Sequence, residues 1–214
     1  MFNLTDPFSI VATLVAFIFG ITIHEFSHAW SAMMLGDRTA EQQGRVTLNP
    51  LAHLDPLGSI GLLAIVFLGW GIGWGKPVPV NPARLKWPQR GMALTSLAGP
   101  VSNVIAALLF VIPLRLGTVH ADMHGYVLLR QLVLVNILLA AFNFIPIPPL
   151  DGSKILVGFL PRFWLPYLAP IERYGVMILL GLILFGGIGA VVLQSMYLPV
   201  FDVLTRVIVG KTPL

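Results

Sequence analysis

FSIVATLVAFIFGITIHEFSHAWSAMML, residues 8–35, is a continuous apolar run that carries His24, Glu25 and His28 towards its end. About 20 residues at ~1.5 Å each traverse a ~30 Å hydrocarbon core, so the run reads as a spanning helix. Gly36-Asp37-Arg38 closes it. Residues four apart on a helix project from one face, which lets His24 and His28 of this HExxH pentad grip one ion while Glu25 stands beside them as a general base. Ionisable side chains are costly at membrane depth and mark functional sites there, so the pentad points to zinc-dependent hydrolysis within a bilayer.

The composition is consistent with that depth. With 57% hydrophobic and 10% charged residues and a mean hydropathy of +0.87, 214 residues hold too few polar side chains to cover a soluble globule. The chain reads as an integral membrane protein. Its first run lacks a basic leader and a small-residue cleavage pattern, so a retained helix is expected. The absence of cysteine excludes disulfides, thiolate zinc sites and thiol nucleophiles, leaving histidine, carboxylate and water. A pI near 9.8 raises nucleic acid as a partner, but the 13 Lys and Arg are scattered near the ends of apolar segments. They read as topology signals in a lipid bilayer, with no nucleic acid expected.

Charges arrange the rest of the chain. Residues 57–74 are apolar enough to tempt a second crossing, yet that would put Arg38 and Arg45 on one side and Lys76, Arg84, Lys86 and Arg90 on the other. The positive-inside bias favours one side for both groups, so 57–74 is expected to re-enter without crossing. Alternating glycines at 69, 71, 73 and 75 and the Pro77-Val78-Pro79 run suit an extended edge or loop over 69–80, tolerated at depth only beside protein or a wet cavity. Further spans are expected at 91–115, 126–146 and 174–194. Between the last two, Pro161, Pro166 and Pro170 suggest an interfacial helix or short hairpin over 153–170. The fold class is therefore an all-α polytopic membrane protein with about four full transmembrane helices, a re-entrant segment and interfacial helices. It forms a single domain over 1–214, with a catalytic core at 8–155 and a C-terminal membrane segment at 156–214.

A catalytic zinc takes three protein ligands and leaves a fourth position for water. Among the nine acidic residues, Asp151 stands out as the third ligand. It follows an apolar helix on the same side as the HExxH end, after Pro146, Pro148 and Pro149 have broken that helix. His53 beside Asp55 reads as a structural hydrogen bonder. His120 and His124 read as a solvated turn on the far side, Gly99, Ser102 and Asn103 as small residues for close helix packing, and Asn136 as an interhelical hydrogen-bonding residue.

Three stretches, HEFSHAW at 24–30, SLAGPVSN at 96–103 and NFIPIPPLDG at 143–152, occur in that order with hydrophobic spans between them. Together they resemble the site-2 protease family of intramembrane zinc metalloproteases. GRVTLNPLAHLDP at 44–56 is similar to its compact bacterial members, which lack the PDZ and CBS-type domains of larger ones. The resemblance implies His24, His28 and Asp151 as ligands of one Zn2+ per chain, and Glu25 as base and proton shuttle. It also implies that Asn143 holds the substrate or polarises its carbonyl. The expected activity is zinc-dependent endopeptidase cleavage of a single-span membrane-protein substrate in or near its transmembrane segment. The expected location is a bacterial cytoplasmic membrane, with the active site towards the cytoplasm. A metal or ion transporter and an inactive membrane scaffold are the alternatives. A transporter has no special use for the non-ligand Glu25.

Overall fold

The computed structural model describes residues 6–68, 73–120, 123–184 and 187–210. It is helical, with no strand among these residues. Five helices are long and apolar enough to cross a membrane, α1 (Pro7–Met34), α4 (Pro88–Arg115), α5 (His124–Asn143), α7 (Leu165–Leu184) and α8 (Gly187–Ile208). The short helices α2 (Thr39–Gln42), α3 (Pro56–Leu68) and α6 (Asp151–Phe159) lie between them. The chain is an integral membrane protein. Its many exposed apolar residues, such as Ile105, Leu109 and Ile112 along α4, suit a lipid-facing surface.

Helix α1 begins where Asp6 accepts hydrogen bonds from the Ser9 amide and hydroxyl, with Pro7 at the first helical position. It ends at Gly36, whose φ of 104° turns the chain out of the helix. Asp37 then clamps the next loop, accepting from the Thr39 amide and hydroxyl and from the Asn81 amide.

Residues 57–74 begin as α3, lie outside the described residues at 69–72, and return as extended chain at 73–80. Leu54 pairs with Gly75 in an antiparallel bridge, the Lys76 amide donates to the His53 carbonyl at 2.7 Å, and Gly58 lies against Trp74. Entry and exit of this hairpin therefore sit at one end, as the charge argument requires. Leu62 packs on Ala16 and Phe17, two helical turns beyond His24, so the hairpin reaches past the HExxH residues before returning.

The spans α1, α4 and α5 form the core, packed through Ala16, Phe17, Leu132 and Val135 on one side and Ala107, Val111, Val133 and Ile137 on the other. The expectation for the C-terminal third needs correction. Residues 174–194 are not one helix: α7 ends at Leu184, 185–186 lie outside the described residues, and α8 starts at Gly187 with φ 34°. Apolar sequence on both sides of this break reads as one span in a hydropathy window. Pro166 falls in the first turn of α7, where its missing amide costs little, so the helix begins earlier than the prolines suggested. Gly175 of α7 lies against Pro148, and Leu179 joins Ile145, Leu150 and Leu193. From there α8 runs back along the core until Ile208 and Val209 meet Ala107, Val111 and Val133.

Candidate metal centre

His24 and His28 are one turn apart on the face of α1 that meets α4, and both are buried. Asp151 is the first residue of α6, reached through the loop after α5. A Cβ at Gly152 would collide with the Phe144 and Ile145 carbonyls. Glycine there lets the loop fold on itself and turn Asp151 towards α1. Two hydrogen bonds from Gln89 of α4, to the Val157 and Leu160 carbonyls at 2.7 and 2.8 Å, hold α6 in place.

The three side chains converge. His24 Nε2 and His28 Nε2 each lie 3.1 Å from Asp151 Oδ2, and one donor atom from each residue lies within 4.8 Å of the others. The other ring nitrogens reveal the tautomers. His28 Nδ1 faces the Thr95 carbonyl at 2.7 Å, which can only accept, so Nδ1 carries the proton. His24 Nδ1 faces Asn103 Oδ1 at 2.7 Å. The Asn103 amide is oriented because its Nδ2 donates to the Gly20 carbonyl at 3.0 Å and to Asn136 Oδ1 at 2.9 Å, so His24 Nδ1 is also the donor. Asn136 in turn donates to the Leu132 carbonyl. In the neutral imidazoles both Nε2 atoms are then lone pairs aimed at a carboxylate oxygen, three acceptors with no donor among them, which a cation satisfies. For zinc bonds of ~2.05 Å a tetrahedral site has ligand atoms ~3.3 Å apart, close to the spacing here.

Gly99 of α4 lies directly over this cluster. A Cβ there would come within 2.5 Å of His28 Nε2 and 2.7 Å of His24 Cε1. The bare backbone leaves the room that an ion and a reacting group need. The donor set and this clearance fit zinc.

Glu25 is not part of the converging set. Its Oε2 accepts from the Val78 amide at 3.1 Å, in the extended chain of the hairpin, and its Oε1 lies on the side of Gly75. Asn143, at the end of α5, donates to Leu139 one turn back and has no hydrogen bond to His24, His28 or Asp151. His53 is fully buried with Nε2 bonded to the Thr47 carbonyl at 2.7 Å, a structural position. His124 stacks on Phe8 at the other end of the core.

Two features escaped the sequence reading. Asn103 was expected as a packing residue and instead orients His24. Gly99 was expected to serve helix packing and also leaves room over the His24, His28 and Asp151 cluster. Their signal was a glycine and an amide four residues apart in an apolar helix, one helical turn of the same face.

No family model matches the sequence, and no solved structure matches it. The chain is 37% identical over 185 residues to a Bacillus subtilis protein named as a candidate zinc metalloprotease, YwhC, covering 81% of this chain and 78% of that one. It is 31% identical over 183 residues to Rip2 of Mycolicibacterium smegmatis, also named as a candidate zinc metalloprotease, covering 83% and 70%. A zinc metalloprotease of Methanocaldococcus jannaschii, MJ0392, matches at 34% identity over 77 residues, 36% of this chain and 22% of its own.

Proposed function

The chain belongs to the site-2 protease family of zinc metalloproteases, and we propose that it is an intramembrane endopeptidase acting on single-span membrane proteins in or near their transmembrane segments. One observation carries this reading: three acceptor atoms, from His24, His28 and Asp151, converge beside a glutamate that is not one of them.

These three residues would hold one zinc ion per chain. Zinc bound there supplies a Lewis acid that polarises a carbonyl and brings the pKa of a water ligand towards ~7. Glu25 takes the proton of the attacking water and delivers it to the leaving amine, which needs a carboxylate close to the ligands but free of them. Asn143 uses the amide hydrogen not given to Leu139 to steady the substrate carbonyl. A substrate helix hides its carbonyls in i to i−4 bonds and must unwind before attack. The extended chain at 73–80, running beside Glu25, offers an edge on which the unwound segment is held.

The site end faces the cytoplasm of a bacterial inner membrane. Arg38, Arg45, Lys76, Arg84, Lys86 and Arg90 flank the spans at that end, and the paired hairpin keeps both groups on one side.

The test is zinc analysis of purified protein together with cleavage of a model single-span substrate. Wild type should bind zinc and cleave. Glu25→Gln should keep its zinc and lose roughly 10²-fold or more in rate, while Asp151→Ala should lose zinc. Cleavage by Glu25→Gln at the wild-type rate would refute Glu25 as the base, and no cleavage by zinc-loaded wild type would refute the assignment and favour a transporter or scaffold.

A further inference from the structure

Arg45 lies in the loop after α2 and is 5% exposed, an unusual place for a guanidinium. It reaches the hairpin: Nη1 donates to the Pro77 carbonyl at 3.2 Å and Nη2 to the Lys76 carbonyl. Burial pushes Arg45 below its ordinary value, and the charge of Glu25 opposes that shift, so cation and carboxylate feel each other across the hairpin chain. Lys76 is held a second time, through its amide, by the His53 carbonyl. Immediately after these anchored residues, the Val78 amide donates to Glu25 Oε2. Pro77 and Pro79 have no amide hydrogen, so Val78 carries the one backbone donor of this tripeptide.

The geometry points to Arg45 as a positioning residue that, by clamping the Lys76 and Pro77 carbonyls, aims the lone Val78 amide at Glu25 and so fixes the carboxylate of the proposed general base. One oxygen of Glu25 is tethered, and the other, on the side of Gly75, keeps its lone pairs for a proton. The inference rests on the protease reading for its catalytic consequence, whereas the clamp itself has a readout independent of cleavage. A guanidinium suits the task because two adjacent carbonyls are held by two nitrogens of one planar group, which an ammonium cannot reproduce. Two carbonyls and the Glu25 charge offset part of the desolvation of Arg45.

Hydrogen exchange of the zinc-loaded protein, read by mass spectrometry on fragments spanning Pro77-Val78-Pro79, isolates the Val78 amide. It should be protected in wild type and exchange at least tenfold faster in Arg45→Ala and in Glu25→Ala. Zinc content should be unchanged in Arg45→Ala. With a model single-span substrate, Arg45→Ala should lower kcat about tenfold with little change in KM, and Arg45→Lys should fall between. Val78→Pro removes the same donor without touching Arg45 and should have a similar effect. The double substitution should be no worse than either single one, because both act through one bond. A Val78 amide that exchanges equally in wild type and Arg45→Ala, or kcat losses that multiply, would overturn the proposal. If exchange behaves as expected but wild type cleaves nothing, the clamp stands and the protease reading fails.

Discussion

Replacing Gly99 by alanine adds one methyl group, and its consequences can be worked from the structure. The new carbon would lie 2.5 Å from His28 Nε2, 2.6 Å from its Cε1 and 2.7 Å from His24 Cε1. Ordinary contact begins near 3.4 Å, so the imidazoles, with the nitrogens offered to the metal, must withdraw from the methyl by about 0.9 Å. They have nowhere to go, because His28 is tied to Thr95 and His24 to Asn103 on the same helix that carries the methyl. Zinc sites tolerate about ±0.2 Å in ligand distance. Losses of 10- to 100-fold follow from disturbing residues behind the ligands. Direct displacement of two ligands should therefore weaken zinc binding by about 10²-fold or more, about 2.8 kcal/mol. Competition with a fluorescent chelator measures this directly. Circular dichroism should show retained helix, since overpacking costs about 1–3 kcal/mol in stability. Leu94→Ala, on the exposed face of the same helix, is the control that should leave affinity unchanged. Wild-type zinc affinity in Gly99→Ala would refute both the placement of the metal and the role given to this glycine.

Asn103→Ala removes the acceptor of His24 and the partner of Gly20 and Asn136, and should weaken zinc binding about 10- to 100-fold in the same chelator assay. Asp37 is held below its ordinary value even though burial raises it, because hydrogen bonds from Thr39 and Asn81, helped by the Arg84 charge, outweigh that burial. Its folded pKa is therefore the lower one, so its stabilising contribution is present above the unfolded pKa of about 3.8 and disappears as pH falls through the folded value. Limited proteolysis of the 35–45 and 79–85 loops should accelerate below about pH 4, and Asp37→Asn should flatten that dependence. Single cysteines at Gly44 and Pro82, introduced into a chain with no cysteine of its own, should react with an impermeant reagent from the same side of the membrane. Labelling from opposite sides would overturn the hairpin.

How far the sequence could be read depended on whether an answer was local. The ends of α1, the turn at Gly36 and the ligand spacing of His24 and His28 follow from short-range rules. Even the hairpin was legible, because its evidence was the sign of flanking charges. The approach of Asp151 to His24 and His28 was reachable since the prolines before it left few ways for the chain to turn. Asn103 was not, because an amide that orients a histidine looks the same in sequence as one that packs between helices. Only the crossing of α1, α4 and α5 brings it to His24, Gly20 and Asn136. The break between α7 and α8 was lost for a different reason: apolar residues continue through it, and lipid-facing helices such as α7 impose no pattern of burial on their sequence.

The converging atoms come from residues 127 and 123 positions apart, with His24 near the beginning of the chain and Asp151 well past its middle. During synthesis, α1 is made with its complete signature long before its third donor exists. A nascent chain stopped between His28 and Asp151 would hold the whole pentad and no third donor. Competence is thus deferred until α4 and α5 have been inserted and the turn at Gly152 has closed. A ribosome that has not yet reached Asp151 therefore puts no complete His24, His28 and Asp151 cluster into the membrane.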